Sequence, residues 1–297
     1  MIRDQAQGLR ELVKKSKDFG PVVRPSRLAR IISVTSGKGG VGKTNLVANL
    51  GIALAKRGSR VLIIDADLGL ANVDIVLGLT SRYNLYHVIK GEKKIHEIIV
   101  DGPEGIKVVA GGAGIQELAN LSSSQRVQFI ANLTELDSYA DIILIDTSAG
   151  ISQNVMGFVL ASDETIVVTT PEPTSIRDAY GIIKAIALGN RDARIRLIVN
   201  MVSSPEEGED VASRIETVAR QFLDISIDKL GYVLKDPAVS EAVIRQKPFL
   251  MAFPTSKASR CVESVADRLL GFEEEDANRF KGVKGFLFKF ISLFKGR

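Results

Sequence analysis

Residues 30–56 read RIISVTSGKGGVGKTNLVANLGIALAK, and three parts of this stretch have to be taken together. The run Arg30 to Thr35 is apolar and β-branched, as a buried strand would be. Leu46 to Lys56 has the spacing of a helix. Between them Gly37, four residues, then Gly42, Lys43 and Thr44 satisfy the Walker A pattern in the strand-loop-helix setting that the pattern requires. Glycines at 37, 39, 40 and 42 free the backbone to aim N–H groups at phosphate oxygens, with the N-terminus of the next helix behind them. Lys43 is then expected to reach the β/γ-phosphates and the Thr44 hydroxyl to ligate Mg²⁺. The expected phosphate cradle is Gly37, Lys38, Gly39, Gly40, Val41, Gly42, Lys43, Thr44 and Asn45.

Lys38 adds a second signal. A lysine early in the loop, as well as the one near its end, resembles the deviant Walker A motif of the MinD/ParA family of dimerising ATPases. The resemblance implies that Lys38 points across a dimer interface to the partner's nucleotide. A cation delivered in trans would tie hydrolysis to dimerisation by the logic of an arginine finger. A solvated lysine on a loop tip is the plainer alternative for Lys38 alone, and the complete GKGGVGKT string argues against it.

The 297 residues are enough for one large α/β domain with appendages. Apolar content of 45% and charged content of 25% are those of a globular protein in water. Met1, Ile2, Arg3 and Asp4 lead into a polar stretch without the form of a signal peptide, and no apolar run reaches the ~18 residues of a membrane span. The expected location is cytoplasmic. Cys261 stands alone, and His87 and His96 have no cluster of metal-ligating neighbours in sequence. The iron–sulfur branches of the same superfamily need cysteine ligands that this chain lacks.

From Arg30 onward, short apolar runs alternate with helix-length amphipathic stretches. The runs are 30–35, 60–65, 106–110, 142–146, 165–170 and 195–200, several of them apolar at consecutive positions. Strands covered on both faces read this way. The expected fold is α/β, a doubly wound, mostly parallel sheet, with its site beyond the strand C-termini. Residues 1–29 form an N-terminal extension and linker, 30–272 the P-loop domain, and 273–297 an acidic hinge and amphipathic helix.

Asp65 and Asp67 in IIDADLGLANVD (63–74) resemble the D-x-D pair of switch I in MinD-like ATPases, and DIILIDTSAGIS (141–152) resembles Walker B followed by switch II. The resemblance implies that Asp67 orients the attacking water, that Asp65 supports the Mg²⁺ shell and that Asp146 holds Mg²⁺ through water. Capping of the following helix is the alternative for one of the first two. Asn200 ends a strand where relatives contact adenine, PEPTSIRDAY (171–180) resembles a segment near the dimer face, and Asp236 and Pro237 align with the loop covering the base. With no N-K-x-D signature, ATP is the expected nucleotide.

The two ends of the chain separate the branches. DQAQGLR, with Asp4, Gln5, Ala6, Leu9 and Arg10, resembles the segment by which the flagellar-number regulators of this family stimulate an FlhF-type signal-recognition GTPase. A solubilising extension is the alternative. At the other end RFKGVKGFLFKFISLFKGR (279–297) carries five of the twelve phenylalanines and no acidic residue. At ~100° per residue Phe280, Val283, Phe286, Leu287, Phe290, Ile291, Leu293 and Phe294 share one half of the wheel, with Lys281 and Lys289 outside it. That pattern is expected of a helix lying in an anionic membrane surface; the alternative is a helix packed on its own domain. The resemblance further implies a homodimer in ATP and, as partners, flagellar C-ring proteins or a flagellar transcription regulator. A cell-division MinD role, a ParA-type segregation ATPase and a non-catalytic scaffold are the rivals. Nucleic acid is the less expected partner, since the strongest basic cluster is interleaved with phenylalanine.

Overall fold

The computed structural model describes residues 28–67, 72–111, 132–271 and 282–295. The expected partner-activating residues Asp4, Gln5, Ala6, Leu9 and Arg10, and Phe280 at the other end, lie outside them, as does the side chain of Phe294. Eight strands form one sheet: β1 (Arg30–Thr35), β2 (Val61–Ala66), β3 (Val100–Asp101), β4 (Lys107–Ala110), β5 (Ile142–Thr147), β6 (Glu164–Thr169), β7 (Arg194–Val202) and β8 (Asp228–Leu234). Their order is β3-β4-β2-β5-β1-β6-β7-β8. Every pairing is parallel except β3 on β4. The doubly wound expectation is met. β3 and β8 are the strands that hydrophobic runs did not reveal. β3 has two residues, and β8 is an edge strand broken by Gly231, where the register on β7 shifts.

Helices cover both faces because alternate strand residues point opposite ways. On one face Ile32, Val34, Ile63 and Leu144 pack under α1 (Lys43–Lys56), α2 (Val73–Leu77) and, from the far end of the chain, elements named below. On the other, Ile31, Leu62, Val109 and Ile143 pack under α3 (Leu85–Ile89) and α4 (Gln153–Ala161). Under α5 (Pro173–Gly189) and α6 (Pro205–Leu223) lie Val167, Ile195, Leu197 and Val199. The chain then returns through α7 (Pro237–Ile244), α8 (Phe249–Ala252) and α9 (Lys257–Gly271), which join α1 on the first face.

The last helix, α10 (Gly282–Lys295), departs from the sequence expectation. Most of its apolar face does not look outward: Val283, Phe286, Leu287 and Phe290 are buried and Ile291 is half-buried against the second face of the sheet, while Leu293, expected on the same face, is exposed where the helix runs past the groove. Phe158 of α4 meets Phe290 at 4.6 Å and Phe286 at 6.2 Å between ring centroids. The physical reason is that β1, α4 and the turn at Glu135–Ser138 leave an apolar groove which an amphipathic helix fills as readily as it would enter a lipid surface. Phe288 is on the exposed side.

At the N-terminal ends of the strands, away from the Walker loop, Glu164 is buried between two arginines. Its carboxylate accepts from Arg30 Nε at 2.5 Å and from Arg196 Nε at the same distance. Arg30 also donates to the Leu269 carbonyl of α9 at 3.1 Å. Buried charges of this kind persist only when paired.

Candidate nucleotide-binding site

The site gathers at the C-terminal ends of β1, β2 and β5, where the winding direction of the sheet changes across β1. Gly40 and Gly42 carry φ of 80° and 81°, the left-handed region that a side chain would strain. Gly42 is also the N-cap of α1, so its turn aims the first amides of that helix into the loop. A methyl group at Gly42 would stand 2.5 Å from the Asn200 amide nitrogen, which itself donates to the Val41 carbonyl at 2.7 Å. Asn200 therefore holds the phosphate loop from the end of β7. Gly37 is packed against the backbone of Asp178 in α5 so closely that no Cβ fits.

Lys43 and Thr44, the first residues of α1, both turn to Asp146 at the end of β5. Lys43 Nζ lies 2.5 Å from Asp146 Oδ1, and Thr44 Oγ1 donates to Oδ2 at 2.7 Å. Three of the side chains expected to handle phosphate and metal thus meet at one point. Asp146 is buried, and burial holds its carboxyl above the ordinary range against the opposing pull of the Lys43 ammonium.

Asp65 is the register neighbour of Asp146 on β2. Its carboxyl is pushed up to about 6, chiefly by burial and further by the Asp146 charge. The oxygens accept three backbone amides: Asp67 at 3.1 Å, Asn72 at 2.9 Å and Val73 at 3.0 Å. The carboxylate thus organises the chain leading into α2, which Val73 opens. Asp67 follows one residue beyond β2, and its Oδ1 accepts from Ser148 Oγ at 2.8 Å. Gly150, with φ of 97°, donates its N–H to the Ser36 carbonyl at 2.9 Å and joins the loop after β5 to the base of the Walker loop.

Lys38 projects from the rim. Its Nζ pairs with Glu172 Oε2 at 2.7 Å and donates to Thr174 Oγ1 at 3.3 Å, at the start of α5. Asp236 caps α7 and also accepts from the Ala258 amide at 3.2 Å, tying that turn to α9. Sequence reasoning missed Ser148 and Glu172 as contacts. The Ala66–Thr147 register puts Asp67 and Ser148 side by side, and it depends on which strands are neighbours in the sheet, which no local sequence signal carries.

The donor set suits Mg²⁺ and a nucleotide phosphate chain. Two glycines in the left-handed region, at one of which a Cβ would also meet Asn200, shape the cradle; one buried lysine lies beside it, and a hydroxyl and a carboxylate converge there. Among the described residues no group of three or more His, Cys, Asp or Glu forms a metal cluster.

Comparison with known proteins agrees with this geometry. Residues 32–249 match the CobQ/CobB/MinD/ParA nucleotide binding domain. The chain is 40% identical over 240 residues to the antiactivator FleN of Pseudomonas aeruginosa, covering 81% of this chain and 86% of FleN. It is 35% identical over 260 residues to the flagellum site-determining protein YlxH of Helicobacter pylori, covering 86% and 88%. Among solved structures, MinD of Pyrococcus horikoshii complexed with Mg-ADP superposes with a TM-score of 0.64 at 27% identity, covering 84% of this chain and 100% of that one. This chain belongs to the CobQ/CobB/MinD/ParA nucleotide-binding family, within which it resembles the antiactivator FleN and the flagellum site-determining protein YlxH.

Proposed function

We propose that this chain is an ATP-dependent, dimerising ATPase that regulates the number and placement of flagella. The observation that carries the reading is the convergence of Lys43, Thr44 and Asp146, with Asp67 beside them and Lys38 on the exposed rim. Bound Mg²⁺ would neutralise charge on the phosphates. Thr44 and Asp146 would hold it, Lys43 would take the phosphate oxygens, and Asp67 would orient water. Asn200 would lie beside the base. Lys38 would exchange Glu172 for the nucleotide of a second copy. An exposed ion pair of this kind is worth about 0–1 kcal/mol, so leaving it costs little. The flagellar role rests on the likeness to FleN and YlxH. The test is ATP hydrolysis measured together with ATP-dependent dimerisation by sedimentation velocity. A chain that binds ATP, stays monomeric and does not hydrolyse it would overturn the reading.

Membrane association belongs to the same proposal. Among the described residues no helix is long and apolar enough to cross a membrane. The apolar face of α10 covers its own domain, so binding to an anionic surface would require that face to exchange protein for lipid. Full burial of one such side chain is worth about 1.5–3 kcal/mol in either environment, so the exchange is nearly balanced. Lys284 and Lys289 would add attraction to anionic lipid, about 1 kcal/mol each near the surface. Two copies in a dimer would multiply the affinity through effective concentration. Stimulation of an FlhF-type GTPase by residues 1–20, and contact with flagellar C-ring proteins or a flagellar transcription regulator, complete the proposed role.

A further inference from the structure

We propose that Ser148 is a positioning residue for ATP hydrolysis, acting through Asp67. The inference rests on the reading of Asp67 as the group that orients water, and it adds a residue which that reading does not contain. The evidence is the placement of two short segments. β2 and β5 are parallel neighbours in register through Ala66 and Thr147, so Asp67 and Ser148 are the first residues past two adjacent strand ends. The Ser148 hydroxyl donates to Asp67 Oδ1 at 2.8 Å.

Each partner is held from behind. The Asp67 amide is bound by Asp65 Oδ1 at 3.1 Å. Before Ser148, the Thr147 hydroxyl donates to the Val34 carbonyl at 3.1 Å; beyond it, the Gly150 amide is held by Ser36. Ser148 is thus pinned on both sides to the strand and loop that carry the Walker motif. A donor fixed in this way limits rotation of the Asp67 carboxylate and links the loop after β5 to the loop after β2. Orientation of a water-directing group acts on the chemical step and not on nucleotide affinity.

The experiment is steady-state ATP hydrolysis by the full-length chain with Ser148→Ala, Ser148→Thr, Ser148→Val, Asp67→Asn and the Ser148→Ala, Asp67→Asn double variant. Hydrogen bonds to charged groups set the scale, so Ser148→Ala should lower kcat about tenfold or more while KM for ATP changes less than about twofold. Threonine, which keeps the hydroxyl, should restore most of the rate, and the isosteric valine should not. Ser148→Ala should cost nothing further in the Asp67→Asn background, because the two residues act as one unit. Wild-type or faster turnover in Ser148→Ala, equal rates for threonine and valine, or additive losses in the double variant would each overturn the inference. Should alanine fail to fold, the threonine–valine comparison decides it. Full activity in Asp67→Asn would instead overturn the reading of Asp67 itself.

Discussion

Asp137 accepts the backbone N–H of Val283 at 3.0 Å, so a carboxylate 146 residues earlier in the chain holds the first turn of the last helix. The same oxygen accepts the Ala29 amide at 3.2 Å, just before β1. Burial raises this carboxyl above its ordinary range, and the two amides oppose the rise. Gly282 has φ of 61°, and a Cβ there would stand 2.9 Å from both Asp137 oxygens, which is why the helix starts on glycine. One carboxylate therefore holds both Ala29, just before β1, and the start of α10.

Replacing Asp137 by alanine leaves two amides without their acceptor and uncaps α10. The expected cost is about 1–3 kcal/mol in urea denaturation, with asparagine recovering part of it through its remaining oxygen. Unchanged stability would show that the start of α10 is held by its apolar contacts alone.

The two loop lysines separate by role. Lys43→Ala should abolish ATP binding and dimerisation, because the buried ammonium beside Asp146 is the only cation of the pair aimed into the cradle. Lys38→Ala should keep substantial binding and lose coupled hydrolysis and dimer stability, since its ion pair with Glu172 is exposed and contributes little to the fold. Equilibrium binding of a fluorescent ATP analogue with sedimentation velocity distinguishes the two; wild-type turnover and an ATP-dependent dimer in Lys38→Ala would refute the trans role.

Acid stability should report on Glu164. Despite its burial, Arg30 and Arg196 hold its carboxyl below the usual glutamate range. Its folded-state pKa is lower than in the unfolded chain, so its contribution is complete above the unfolded value near ~4.3 and is lost as pH falls through the depressed one. Glu164→Gln should cost about 3–5 kcal/mol at neutral pH by taking the buried anion from between Arg30 and Arg196, although Arg196 keeps Asp228 at 3.9 Å. It should also flatten the stability curve below pH ~4.3, which thermal melts across pH would reveal.

Liposome sedimentation tests the tail. Lys284→Gln with Lys289→Gln should leave the fold intact and weaken binding to anionic vesicles in ATP, with the difference shrinking as salt rises. Phe290→Glu should both destabilise the domain and abolish vesicle binding, because this side chain is buried against Phe158. Equal vesicle binding by the double glutamine variant at low salt would remove the electrostatic part of the proposal.

A peptide of residues 1–20 should accelerate GTP hydrolysis by an FlhF-type GTPase in a phosphate-release assay. No stimulation by either the peptide or the whole chain would return the extension to a solubilising role.

Local order in the sequence was enough for the Walker loop, for six of the eight strands and for the end of the sheet at which Lys43, Asp65, Asp67 and Asp146 gather. These follow from runs of apolar residues bounded by glycine and aspartate, and such signals need no knowledge of distant contacts. β8 escaped because an edge strand with a glycine in its middle lacks a continuous apolar run. Contacts between segments remote in sequence were decided only by the tertiary structure. The pairing of Ser148 with Asp67 follows from the order in which strands lie side by side, and that of Lys38 with Glu172 from where the start of α5 falls. The fate of α10 is the clearest case. Its sequence specifies a helix with one apolar face, and hydrophobic burial is indifferent to whether protein or lipid covers that face. The groove beside Phe158 and the cap from Asp137 place it on the domain.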